Sequence, residues 1–183
     1  MQTIHFWNSI NNETSRMLRN MVINSINKGE KEIKILFSSD GGDLNAGMNL
    51  YNYFRNIQSD VTVKICNVGS IESIAVIVYL AFDKRLAIEN SRFLLHSFHW
   101  NTPQYTDHMR LTEYTESLNY HVERYAQLFN ERTQFAKNQI NILDCLNGHS
   151  LIIPATTATS CGIVSEIISD ELAFATTCEP FFD

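Results

Sequence analysis

The segment SSDGGDLNAGMNLYNYF, residues 38–54, decides the fold. It places two adjacent glycines, Gly41 and Gly42, between an apolar run typical of a strand and an amphipathic run typical of a helix. Glycine has no Cβ, so the pair permits a sharp turn and lets backbone N–H groups approach a ligand closely. The free N–H groups of the following helix point to the same place. Such a corner can hold a phosphate or an oxyanion, and the glycine pair alone does not distinguish the two.

Strand and helix signals alternate on both sides of this corner. The predicted order is strand 3–7, helix 11–27 behind an Asn cap, strand 32–37, helix 44–57 and strand 61–67. We then predict a turn at VGSIE, residues 68–72, an apolar helix over 74–82, and short strands at 85–88 and 92–97. Alternating strands and helices favour an α/β fold with a parallel sheet and right-handed crossovers.

The pattern changes over residues 106–136, where apolar side chains recur every three or four positions. They are Leu111, Tyr114, Leu118, Val122, Tyr125 and Phe129. One helix of thirty residues would be roughly 45 Å long, and a domain of this size cannot cover such a stripe with its own core. We therefore expect part of the stripe to contact another chain. The alternative is two helices with a break near Asn119.

Composition narrows the classes of function. The chain of 183 residues is long enough for one domain, which we assign to residues 1–183. Its net charge of -6 argues against a nucleic-acid surface, and its longest apolar run, 74–82, is about half of what spans a bilayer. The first residues lack the basic and apolar regions of a secretory signal. We expect a cytoplasmic protein that binds neither nucleic acid nor membrane.

Metal and cofactor sites are not predicted. The four cysteines stand singly, without the spacing of a zinc site or a redox pair, and are read as buried thiols. His96 and His99 lie three apart in a strand and its exit, where such side chains should point to opposite faces.

Two polar residues lie where a parallel sheet binds ligands, beyond the carboxyl ends of its strands. Ser73 follows a strand and turn and begins the apolar helix, so its hydroxyl should be exposed at the corner. His96 ends an apolar strand and could act as its base. A buried histidine with a purely structural role is the alternative.

The ordered set SSDGGDLNAGMNLY, NVGSIESIAV and KRLAIENSRFLLH, with YTDH before the long helix, resembles the proteolytic subunit of the Clp protease family and its phage-type relatives over about residues 3–167. The resemblance implies a crotonase-type fold with repeated ββα and βαβ units and a long protruding handle helix over about 106–136. Carried over by position, Ser73 falls on the nucleophile and His96 on the general base. Gly41, Gly42 and Ile74 fall on the backbone oxyanion hole.

The same resemblance implies a serine endopeptidase that hydrolyses unfolded proteins or short peptides without a cofactor. It also implies a ring-shaped homo-oligomer, with two rings stacked through the long helix around a chamber. The chain begins almost directly at its first strand, whereas the family's N-terminal segment meets the ATPase ring. This makes docking of a Clp-type ATPase partner doubtful.

Three positions depart from the family pattern. Ser150 occupies the place where the third triad member, an Asp, is usual. Asp144, six residues earlier, could substitute only if the intervening loop reorganises. Glu72 and Asp40 put negative charge beside the expected oxyanion hole.

Three functions are therefore compatible with the sequence. The first is a serine peptidase that uses Ser73 and His96. The second is a ring-forming subunit that keeps the fold without catalysis. The third is a crotonase-like acyl-transfer enzyme that uses the glycine corner to polarise a thioester carbonyl.

Overall fold

A mostly parallel β-sheet organises the chain in the computed structural model, which describes residues 1–57, 61–99 and 105–168. Within these residues the sheet has seven strands, and its main path runs β1-β2-β3-β4-β7 with every pair parallel. β5 pairs in parallel with β3, and β6 pairs antiparallel with β5. The strands are β1 Gln2–Trp7, β2 Glu32–Ser39, β3 Thr62–Glu72, β4 Lys84–Ile88, β5 Arg92–Leu95, β6 Leu151–Pro154 and β7 Glu166–Ile168.

The described residues form six helices, and the first three connect the first four strands as the alternating pattern predicts. They are α1 Asn12–Asn27, α2 Leu44–Asn56, α3 Ile74–Leu80, α4 His108–Thr133, α5 Ile142–Leu146 and α6 Ala155–Ser160. The predicted Asn cap of α1 is Asn11, whose side chain accepts from the amides of Glu13 and Thr14. Asp43 caps α2 by accepting from the amide of Ala46. The α/β fold with a mostly parallel sheet is confirmed.

The short helix α3 forms the centre of the core, and all seven of its residues are buried. Its last carbonyl groups would be unsatisfied without partners, because the final turn of a helix has none of its own. Arg132 donates to the carbonyl of Leu80 at 2.7 Å, and Arg55 donates to that of Ala81 at 3.2 Å. These hydrogen bonds hold the C-terminal end of α3 in place. The corner at the N-terminal end of the same helix is therefore attached to a rigid element.

The turn predicted at residues 68–72 is wrong. This segment continues β3 as far as Glu72, with Ile71 paired to Ser39 and residues 70–72 paired to β5. β4 pairs with the earlier part of β3, from Lys64 to Asn67. On the side away from β2, β3 therefore pairs with β4 along its first half and with β5 along its second half. The pairing with β5 brings the two predicted site segments together.

The long helix α4 is continuous over 26 residues, so the alternative with a break near Asn119 does not apply. It begins at His108 rather than 106 and ends at Thr133 rather than 136. Its C-terminal half packs on the core, whereas its N-terminal half exposes Met109 at 67% and Leu111 at 48%. The core of this chain thus covers about half of the predicted stripe.

The cysteines and the apolar content of the helices can also be compared with the sequence analysis. Cys66, Cys145 and Cys161 are buried free thiols, and Cys178 lies outside the described residues. Over the described ranges, no helix has the length and apolar content that crossing a bilayer requires.

Candidate active site

The glycine corner, the end of β3 and the end of β5 meet at one edge of the sheet. Ile71 pairs with Ser39 on one side, and Glu72 pairs with Leu94 on the other. The amide of Ser73 continues this ladder by donating to the carbonyl of Leu94 at 3.0 Å. Ser73 therefore lies next to the strand end that carries His96.

Ser73 has a strained backbone. Among the described residues other than glycine it alone has a positive φ, with φ 53° and ψ −131°. Such a conformation costs about 1–3 kcal/mol and persists only where neighbouring groups enforce it. The carbonyl of Ser73 accepts from the amide of Val76 and from the Tyr125 hydroxyl, each at 3.0 Å. The strand therefore turns abruptly into α3 at this residue.

Gly41 lies directly against Ser73. Its φ is +89°, and a Cβ there would lie 2.8 Å from Ser73 Cβ and 2.9 Å from the carbonyl oxygen of Glu72. Glycine is therefore required for both its conformation and its contact. The amide of Gly41 donates to Ser39 Oγ at 3.2 Å, so this donor is already engaged.

Gly42 and Ile74 offer backbone amides at the same corner. Gly42 forms a parallel bridge with Ile10, in which Ile10 bonds to the carbonyl of Gly41 and the amide of Asp43. In such a bridge the N–H and C=O groups of Gly42 itself point away from Ile10. Ile74 is the first residue of α3, and amides at this position have no intrahelical partner.

His96 follows β5 directly, and its Nδ1 lies 2.7 Å from the carbonyl oxygen of Ser97. A carbonyl oxygen only accepts, so this bond requires the proton of a neutral imidazole to be on Nδ1. Nε2 then carries the lone pair that a general base needs. The bonds of the described residues do not include one between His96 and the Ser73 hydroxyl.

The rings of His96 and His99 have centroids 5.7 Å apart, so the prediction that they point to opposite faces is wrong. The alternation of a strand no longer applies, because β5 ends at Leu95. The described residues contain no group of three or more His, Cys, Asp and Glu that could hold a metal ion.

Ser150 and His96 flank the same end of the β5–β6 strand pair. Leu95 of β5 pairs with Leu151 of β6 as the last pair of the two strands, so His96 and Ser150 each lie one residue beyond it. Ser150 is exposed, as is Asp144 in α5. The position where the resemblance expects a carboxylate thus carries a hydroxyl, at the same end of this strand pair as His96.

The negative charge of Glu72 is compensated. Its Oε1 accepts from Ser70 Oγ at 2.7 Å and pairs with Arg92 Nη2 at 3.0 Å. Glu72 and the exposed Asp40 line an open cavity of about 320 Å³ beside the corner, together with Trp7. Neither carboxylate is drawn to Ser73 by a hydrogen bond within the described residues.

Tyr125 is the site residue that the sequence did not single out. Its apolar spacing marked it only as a member of the α4 stripe, yet its hydroxyl reaches the backbone of Ser73. No sequence signal indicates this contact, because the two residues lie 52 positions apart.

Comparisons with known proteins identify the family of this chain. Residues 1–171 match the family model described as Clp protease. The ATP-dependent Clp protease proteolytic subunit of Deinococcus radiodurans is 36% identical over 80 residues, which are 40% of this chain and 38% of that protein. The matched region thus spans well under half the length of that relative.

Solved structures show the same fold. ClpP1 from Listeria monocytogenes superposes with a TM-score of 0.72 at 22% identity, covering 92% of this chain and 91% of that one. An asparagine-to-aspartate mutant of the same protein gives 0.75 at 21% identity, covering 93% and 92%. The family match over most of the chain, together with this fold, establishes that the chain belongs to the Clp protease family.

Proposed function

We propose that this protein is a serine peptidase in which Ser73 is the nucleophile and His96 the general base. The observation that carries the proposal is the corner at Ser73, where a strained serine packs against Gly41 and lies beside the end of β5. Strain of this kind concentrates at functional sites. Family membership supports peptidase chemistry over the acyl-transfer alternative.

In the proposed mechanism, Ser73 Oγ attacks the carbonyl carbon of a peptide and His96 Nε2 accepts its proton. The amides of Gly42 and Ile74 donate to the developing oxyanion, while Gly41 provides the close approach. His96 then returns the proton to the leaving amine, and water hydrolyses the acyl-enzyme by the reverse sequence. Hydrogen bonds in a ligand-free site often form only when substrate binds, so the missing Ser73–His96 bond is compatible with this role.

The substrate proposed is an extended chain, either a short peptide or an unfolded protein. We also propose a homo-oligomeric ring that can stack on a second ring, in which the exposed N-terminal half of α4 contacts another copy. The support is the exposure of Leu111, a member of the predicted stripe, on a helix whose other half is buried, since exposed apolar stripes mark interfaces. A Clp-type ATPase partner is not part of the proposal.

One observation favours the second candidate, a non-catalytic ring-forming subunit. Ser150 stands where the resemblance expects a carboxylate, one residue beyond the strand pair that precedes His96, and a hydroxyl stabilises an imidazolium far less than a carboxylate does. Loss of that carboxylate in other serine proteases lowers kcat by roughly 10⁴. We therefore expect weak activity in this protein.

Hydrolysis of a fluorogenic peptide tests the proposal. The wild-type protein should release the fluorophore slowly, and Ser73→Ala should not. A folded protein incubated under the same conditions should survive if the active sites are enclosed. A wild-type rate equal to that of Ser73→Ala, from a protein that still forms oligomers, would favour the non-catalytic subunit.

A further inference from the structure

Tyr125 connects the long helix to the proposed nucleophile. It lies in the C-terminal half of α4 with only 1% of its surface exposed, and its hydroxyl donates to the carbonyl oxygen of Ser73 at 3.0 Å. Burial raises the pKa of Tyr125 well above its usual range, so the hydroxyl keeps its proton and remains a donor.

This bond holds one end of a strained residue. The amide end of Ser73 is held by the carbonyl of Leu94, and the carbonyl end by Val76 and Tyr125. The bond from Val76 lies within the same turn and moves with the corner. Leu94 and Tyr125 belong to other elements, so they are the anchors that keep Ser73 at its unfavourable φ of 53°.

The ring of the same tyrosine reaches the segment that carries the proposed base. Phe98, two residues after His96, packs edge-on against Tyr125 with ring centroids 5.4 Å apart. One side chain therefore contacts Ser73 through its hydroxyl and, through its ring, Phe98 in the segment that follows His96.

We propose that Tyr125 is a positioning residue, whose hydroxyl holds the backbone of Ser73 in the geometry that presents Oγ to His96 and to substrate. The proposal rests on the proposed peptidase function. Tyr125 does not touch the reacting atoms in this account and acts only through Ser73. Removal of its hydroxyl should release the corner toward less strained conformations, and a smaller fraction of molecules would then be reactive.

Tyr125→Phe tests this role, because it removes the hydroxyl and keeps the ring contact with Phe98. Tyr79→Phe is the matched control, since Tyr79 is also fully buried and donates to a carbonyl, that of Leu86 at 2.7 Å. For both variants we would measure the rate of fluorophosphonate acylation at Ser73, kcat and KM for a fluorogenic peptide, and the urea midpoint.

Tyr125→Phe should lower the acylation rate and kcat about fivefold, the equivalent of one ordinary hydrogen bond. KM should change little, because the hydroxyl of Tyr125 acts through Ser73 and does not touch substrate in this account. Tyr79→Phe should lower the urea midpoint by about as much as Tyr125→Phe does, and it should keep the wild-type acylation rate and kcat.

Two results would overturn the proposal while leaving the peptidase intact: equal acylation rates in wild type and Tyr125→Phe, or equal losses of rate in both variants. A wild-type protein without any label at Ser73 would overturn the peptidase function and the role of Tyr125 together. Wild-type labelling therefore distinguishes the two failures.

Discussion

Replacement of Gly41 by alanine should disrupt the corner through two separable effects. The first is conformational, because φ at Gly41 is +89° and an L residue there costs about 1 kcal/mol or more. The second is steric, because the new Cβ would lie 2.8 Å from Ser73 Cβ and 2.9 Å from the backbone of Glu72. Overpacking of this kind costs about 1–3 kcal/mol. We expect Gly41→Ala to lower the free energy of unfolding by about 2–4 kcal/mol.

Gly29→Ala isolates the first effect. Gly29 has nearly the same φ, +84°, but a Cβ there meets no atom within 4 Å. This variant should lose only about 1 kcal/mol. Urea unfolding followed by circular dichroism gives both values, and fluorophosphonate labelling gives the chemical consequence.

The close contact between position 41 and Ser73 predicts that Gly41→Ala also slows the reaction of Ser73 with the probe. Ser73 must move by several tenths of an ångström to admit the new methyl group, and misplacement on this scale should slow labelling by roughly 10- to 100-fold. Gly29→Ala should be labelled at the wild-type rate. The reasoning is refuted if Gly41→Ala destabilises no more than Gly29→Ala, or if its labelling is unchanged.

Further predictions concern the triad position, the interface and a buried thiol. Ser150→Asp should raise kcat, because position 150 lies one residue beyond the strand pair that precedes His96 and a carboxylate that reaches the ring would stabilise the imidazolium; an unchanged kcat would show that the side chain does not reach the ring. Replacement of the stripe residues Leu111 and Leu118 together by glutamate should reduce the sedimentation coefficient of the assembly without altering the circular dichroism spectrum; unfolding would mean that the stripe packs inward. Burial raises the pKa of Cys66 to about 11, so the unfolded chain ionises first and wild-type stability should fall as pH rises from about 9 toward 11. Cys66→Val should lose that part of the fall, which titration of stability in both proteins would detect.

Much of the fold could be predicted from local pattern. β1 is predicted at 3–7 and occupies Gln2–Trp7. This prediction succeeds because the buried and exposed positions of the strand follow from its own sequence. The segment at 68–72 was misread, since its glycine and serine residues favour a turn and only its pairing with β5 makes it a strand. Tertiary contacts, invisible in the sequence, decided its structure.

Elements near the C-terminus were missed for a related reason. α6 has the sequence ATTATS, in which three threonines disfavour a helix, yet it forms where it packs against β6 and β7. At the candidate site, the sequence placed Ser73 beside the glycine corner. It could not reveal that Ser39 engages the amide of Gly41, or that Tyr125 reaches Ser73 from a distant helix. Both contacts join a side chain to backbone and have no periodic signature.

The central claim is that Ser73 is a nucleophile made reactive by His96. The most direct test is mass-spectrometric mapping of the adduct that a fluorophosphonate probe forms with the wild-type protein. We predict one modified serine, Ser73, and no adduct at that position in His96→Ala. An adduct at Ser70, or labelling of Ser73 at the same rate without His96, would contradict the account.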